Sequence, residues 1–265
     1  MYSISNRLSI GRQFDLAHPS LISHAIEKGW CKSEADFDFA RCYSEPVFTH
    51  FSGSKRRRQC SFDRLRQMKG RITIETMMEI LRSHTPAYDK NPYRKSSVSS
   101  VCMHAGFLFG DQTTGSYVVK LGQAVDTYWI TGGSPACLGL FKPFFLVEGE
   151  SLSSSPDKLK EAESAWERRE EIHRLVLESR IQADEYKKDR DLLEAKWLQA
   201  VDRLDLSSAT EQELADFVNA ALNEEDKLLT HYLDKSEDKK PRIKGNPYFR
   251  YYWKKAIREL RSGKR

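Results

Sequence analysis

The chain has 265 residues, 39% of them apolar and 31% charged, with a formal net charge of +5; that is enough for one large domain or two modest ones around a sizeable core. No run of about 18 or more apolar residues occurs, so no membrane span is expected, and no basic-then-apolar leader opens the sequence. The five cysteines (Cys31, Cys42, Cys60, Cys102, Cys137) are odd in number and lack CxxC spacing, which argues against a disulfide framework or a zinc site and for reduced thiols in a cytoplasmic protein without a cofactor.

Tyr2 to Ile10 alternates, with Tyr2, Ile4, Leu8 and Ile10 on one side and Ser3, Ser5, Arg7 and Ser9 on the other, the pattern of a strand with one buried face. Pro19 then opens a short helix that ends before Gly29. Ser33 and Asp36 resemble a capping box for another. A basic helix over 54–69 is stopped by Gly70, and Thr73 caps a further helix over Ile74–Arg82. From Ser97 the texture becomes β-rich: Val98–Met103, Ser116–Leu121, Thr127–Thr131 and Pro143–Val147 are predicted strands separated by Gly and polar turns. Helices followed by a strand meander predict an α+β layered domain over 1–150. Serines 151 and 153 to 155 mark its boundary. Pro156 opens a charged helical region, 151–238, with apolar residues at helical period and a second capping box at Ser208 and Glu211. It is expected to form a hairpin or small bundle.

The last segment, 239–265, holds eleven Lys or Arg against Glu259 alone, a charge of +10 that leaves the rest of the chain at about −5. Its basic residues alternate with Tyr248, Phe249, Tyr251, Tyr252 and Trp253, a mixture that suits single-stranded nucleic acid. However, Asn246 and Pro247 have the form of a helix cap and first position, and Phe249, Tyr252, Trp253, Ala256, Ile257 and Leu260 share one stripe. A basic amphipathic helix docked on the protein outweighs nucleic-acid binding.

Three clusters bear chemistry. Asn6 falls on the apolar face of the first predicted strand, where a buried amide costs on the order of 1–3 kcal/mol unless it finds a partner. It either ties down a loop or aims an N–H at a developing oxyanion. Cys102 and His104 share one face if extended. They are either a nucleophile and its base or a small buried thiol beside a structural imidazole; the latter reading is favoured. Gly132-Gly133-Ser134-Pro135 forms a tight turn that could expose backbone N–H groups to a ligand but lacks phosphate-loop spacing, and Lys142 before Pro143 suits an edge strand better than a charged site lining.

In this order, the stretches Tyr2-Ser-Ile-Ser-Asn6 with Leu8-Ser-Ile-Gly11, Gly29-Trp30, Gly70-Arg-Ile-Thr73 through Leu81-Arg82, Cys102-Met-His104, Thr113-Thr-Gly-Ser116, Trp129-Ile-Thr-Gly132 and Phe141-Lys-Pro143 resemble the secernins and the related dipeptidases of the N-terminal-nucleophile hydrolase superfamily. The resemblance runs from Tyr2 to about Val147. It implies a four-layer αββα sandwich, here in part, followed by a helical C-terminal region. It also implies hydrolysis of the amide bond of a peptide or dipeptide by an N-terminal cysteine whose own amino group is the base. By the same resemblance Asn6 helps form the oxyanion hole, while His104, Thr113, Thr114 and Ser116 flank the substrate; no metal is implied. The family keeps its nucleophile upstream of the Ser-Asn motif, and this sequence opens with Met1-Tyr2 directly before it. The expectation is therefore a chain inactive alone: a fragment, one subunit of a split enzyme completed by an upstream chain or by self-association, or a homologue that has lost catalysis, with a non-catalytic interaction or regulatory module as the alternative.

Overall fold

The computed structural model describes residues 2–4, 7–107, 111–122, 124–146, 156–236 and 238–263. Its helices are α1 (Leu21–Glu27), α2 (Phe39–Tyr43), α3 (Pro46–Phe51), α4 (Ser54–Gln67), α5 (Ile74–Leu81) and α6 (Pro86–Asp89), then α7 (Pro156–Leu177), α8 (Ala183–Arg203), α9 (Glu211–Ser236) and α10 (Pro247–Arg261). Between α6 and α7 the described residues form three strands, β1 (Tyr117–Lys120), β2 (Asp126–Ile130) and β3 (Lys142–Leu146). They form one antiparallel meander in the order β1-β2-β3, with Val118 opposite Trp129 and Trp129 opposite Pro143. The protein is thus α+β with a helical C-terminal region, and its described sheet is small.

Local chemistry explains where the elements stop and start. Thr73 and Thr76 form a reciprocal capping box at the head of α5, and Asp38 caps α2 by accepting from the Arg41 amide at 2.9 Å. Gly70, at φ +81°, supplies the left-handed residue that ends the run after α4. Asn246 accepts from the Phe249 amide at 2.8 Å, with Pro247 in the first turn of α10.

The first segment departs from its expected form. Tyr2 to Ile4 and Arg7 to Ile10 are not a strand, and the burial is inverted: Ser3 is buried while Tyr2 and Ile4 are exposed. Polar groups win this position. Ser3 Oγ lies 2.5 Å from Ser61 Oγ, and Arg58 Nε donates to the Ser3 carbonyl at 3.1 Å, so the segment is held by α4 and not by an apolar face. Ser33 likewise does not cap a full helix. Glu34–Asp36 is one 3-10 turn, and the Asp36 carboxylate accepts instead from the Lys32 amide. The predicted strand at Val98–Met103 is irregular backbone with a single antiparallel bridge, Ser97 to His104. At the head of α9 the capping box forms two residues later than expected, between Thr210 and Glu213. Ser207 and Ser208 close a local turn on Asp205 instead. The serine-rich boundary at 151 to 155 lies outside the described residues.

Two apolar clusters pack the sheet and the loops beside it against the helices. One unites Met78 of α5, Val118, Trp129 and Phe141 with Trp197 and Val201 of α8 and Ala221 of α9. The other unites Cys102 and Ala136–Leu138 with Ile172, Leu175 and Val176 of α7, Tyr186 of α8 and Leu229 and Tyr232 of α9. Full burial of one such large side chain contributes about 1.5–3 kcal/mol. A third cluster seats α10: Phe249 and Trp253 pack on Ala105 and Leu177. Gly106 makes that fit possible, because a Cβ there would stand 2.4 Å from the Phe249 ring.

Candidate functional site

The turn after α5, the extended stretch at 101–104 and the Pro135–Leu138 turn meet beneath α7. Backbone pairing sets the meeting. The Cys102 amide donates to the Ser83 carbonyl at 3.0 Å, and Ser97 and His104 exchange both backbone hydrogen bonds. Arg82 reaches across to fix the third segment, donating to the Ala136 carbonyl at 3.2 Å and the Gly139 carbonyl at 2.7 Å while Glu194 holds its other edge.

Four side chains converge where these segments cross. His84 Nε2 lies 3.1 Å from His104 Nε2. His104 Nε2 lies 3.7 Å from Cys102 Sγ and 3.3 Å from Cys137 Sγ. All four donor atoms lie within 4.8 Å of one another, an arrangement that could hold a metal ion. Cys102, His104 and Cys137 are buried residues, and the His84 side chain is only 5% exposed. Argument from CxxC spacing did not reach this group, because its members come from three separated segments.

The surroundings are aromatic and polar. His84 Nδ1 lies 3.0 Å from the Asp89 carboxylate, and Tyr93 Oη lies 3.5 Å from Cys137 Sγ. Burial would raise the Cys137 thiol, but the hydrogen bond with Cys102 and the neighbouring imidazoles draw it well below the ordinary thiol value. Burial and that same bond push Cys102 the other way. Burial also opposes charge on His84, yet Cys137 and Asp89 together lift its pKa.

A third histidine stands one layer out. His173 of α7 packs edge-on against His104 and Trp253. Burial and then the adjacent Arg174 charge hold its pKa well below the usual imidazole value. Arg174 Nη1 lies 2.7 Å from His173 Nδ1; a guanidinium can only donate, so Nδ1 accepts and the proton sits on Nε2. Sequence reasoning missed His173 and His84. His173 sits in the charge-rich run Glu167–Glu171 to Arg174, which reads locally as a solvated helix face.

The residues singled out from sequence separate here. His104 faces the thiols, not an open cleft. Thr113 is structural on one side, its Oγ1 accepting from the Met103 amide at 2.9 Å. Thr114 is exposed, and Ser116 is buried with its amide donating to Thr131 Oγ1 at 2.9 Å. Asn6 lies outside the described residues. Lys142 is not an edge-strand lysine at the surface: it is buried, donating to Glu225 Oε1 and the Thr131 carbonyl, both at 2.8 Å.

No family model matches the chain, and no solved structure matches it.

Proposed function

We propose that this chain is a secernin-like part of an N-terminal-nucleophile amidohydrolase that cleaves dipeptides. In that reading the three-stranded meander belongs to one sheet of a four-layer αββα sandwich, and the substrate lies along the stretch of Thr113, Thr114 and Ser116. Asn6 gives an amide N–H to the oxyanion that forms as the scissile carbonyl becomes tetrahedral.

One observation supports the reading: the separate motifs that carry the resemblance meet in space and hold one another. Arg82 ties to the 136–139 turn. Thr113 caps Met103. Ser116 bonds Thr131, and Lys142 bonds the Thr131 carbonyl. These bonds hold the motif stretches in one scaffold.

None of the five cysteines suits the role of nucleophile. Cys31, Cys42, Cys102 and Cys137 are buried, and Cys60 is half-buried on α4. The Cys102–His104 pair is enclosed, so no amide carbonyl reaches it. In this proposal the attacking thiol comes from a Cys-initiated αβ segment that the 265 residues do not include.

The test is hydrolysis of a dipeptide panel by the purified chain, alone and co-expressed with such a segment. Turnover is expected only in the complex, and Asn6→Ala in the complex should lower kcat by about 10²–10³-fold. Turnover by the chain alone that disappears in Cys102→Ala would overturn the assignment of the nucleophile. Absence of turnover in both arrangements, with a stable protein partner in pull-downs, would replace hydrolysis by an interaction role.

A further inference from the structure

We infer that His84, Cys102, His104 and Cys137 form a tetrahedral zinc site that fastens three segments of the chain together. The inference stands apart from the hydrolase reading, since it needs neither substrate nor nucleophile.

Geometry carries it. Zinc binds thiolate sulfur at about 2.3 Å and imidazole nitrogen at about 2.0–2.1 Å, so a tetrahedral site places nitrogen pairs ~3.3 Å apart and sulfur–nitrogen pairs ~3.6 Å apart. The observed nitrogen pair is 3.1 Å apart, and the two sulfur–nitrogen pairs at His104 Nε2 are 3.3 and 3.7 Å apart. These distances fit both chemistries of the set at once. All four donor atoms lie within 4.8 Å of one another, close enough for one ion to contact each.

The outer contacts agree. Asp89 lies 3.0 Å from His84 Nδ1. A proton on Nδ1, donated to that carboxylate, leaves the Nε2 lone pair facing inward, the usual support of a metal-bound histidine. Tyr93 lies within reach of the Cys137 sulfur, where a phenol can donate to a thiolate. Charge agrees as well. Two thiolates and two neutral imidazoles around Zn²⁺ sum to zero, so the centre can be buried without a stranded charge. On binding, any proton still held by Cys102 or Cys137 leaves to solvent, and no oxidant is needed.

All four positions are filled by protein atoms, which is the pattern of a structural site and not of a catalytic one with an open position. The ion would tie the turn after α5 to the 101–104 stretch and to the turn before β3. Gathering the ligands from three segments makes metal binding and folding one event.

The experiment is metal analysis of the full chain, purified under reducing conditions and reconstituted with Zn²⁺. One zinc per chain is expected. Substitution by Co²⁺ should give the strong visible bands of a tetrahedral ion and thiolate-to-metal charge transfer. A chelator should lower Tm. Asp89 is exposed, with its side chain at 68%, so Asp89→Ala should fold; it should weaken zinc about 10–100-fold in competition with a chromophoric chelator. Cys60→Ser should keep full stoichiometry, and Cys137→Ser should lose it. If the wild-type protein takes up no stoichiometric Zn²⁺ and gives no tetrahedral Co²⁺ spectrum, the inference fails. It also fails if Cys102 and Cys137 are found joined as a disulfide, or if Asp89→Ala binds zinc as tightly as wild type.

Discussion

Lys142 is a cation in the protein interior, and its surroundings set a testable pH dependence. Burial depresses its pKa to about 8, although Glu225 opposes the fall. In the unfolded chain a lysine titrates near 10.4. Between those values the unfolded state holds a proton that the folded state has released, so this group makes stability rise with pH across that window. Urea unfolding between pH 7 and 9.5 should show wild type gaining on Lys142→Met, by about 1–2 kcal/mol at the upper end. A constant difference between the two proteins would mean that the ammonium is not depressed. The same residue shows how legibility fails at this scale. Sequence assigned Lys142 to a surface edge because lysines usually lie there. Only the fold reveals Glu225, 83 positions later, as its partner. The Cys102–His104 neighbourhood was legible from two-residue spacing, whereas His84 and Cys137 join it through contacts that no local pattern records.

At the scale of elements, α10 was the clearest in sequence, because its cap and its stripe are both local. Phe249, Trp253 and Ile257 are indeed its buried residues, and Tyr251 is exposed. Arg261 fastens the far end, with Nη2 donating to Glu171 at 2.6 Å and to Glu178 at 2.9 Å. Trp253 is 3% exposed, so Trp253→Ala should cost about 3–5 kcal/mol in chemical denaturation. A loss below about 1 kcal/mol, together with salt-sensitive oligonucleotide binding by the wild type, would return the helix to a nucleic-acid role. The start of α9 shows the opposite limit. Ser208-x-x-Glu211 and Thr210-x-x-Glu213 both satisfy the capping pattern, and nothing local chooses between them. Likewise the alternation at Tyr2–Ile10 was real but did not indicate burial, because α4 offered Ser3 better polar partners than a sheet could.

For the molecule as a whole, the alternation of helices, meander and helices was readable, and the α+β class follows from it. The joining of the parts was not readable. The apolar faces of α7, α8 and α9 gave helical period but no hint that Ile172 and Tyr232 would close over Cys102 and Cys137. The described sheet has three strands, with β1 and β3 outermost, and no described helix is long and apolar enough to cross a membrane. Tyr117 and Leu121, at the β1 end, are exposed, and an outer strand with such neighbours recruits further strands. Sedimentation velocity over a rising concentration series should therefore show self-association. A monodisperse monomer at every concentration would show that the sheet needs no complement.

The seating of α10 on Gly106 and Leu177 has a consequence for synthesis. On the ribosome the groove that receives Phe249 and Trp253 is translated about 70 residues before its cover, several seconds at ordinary elongation rates. During that interval Ala105, Leu177 and the face of His173 form an open greasy seam on the nascent chain. A chaperone that captures such seams should crosslink to released chains truncated at Gly245 and not to released chains that carry α10.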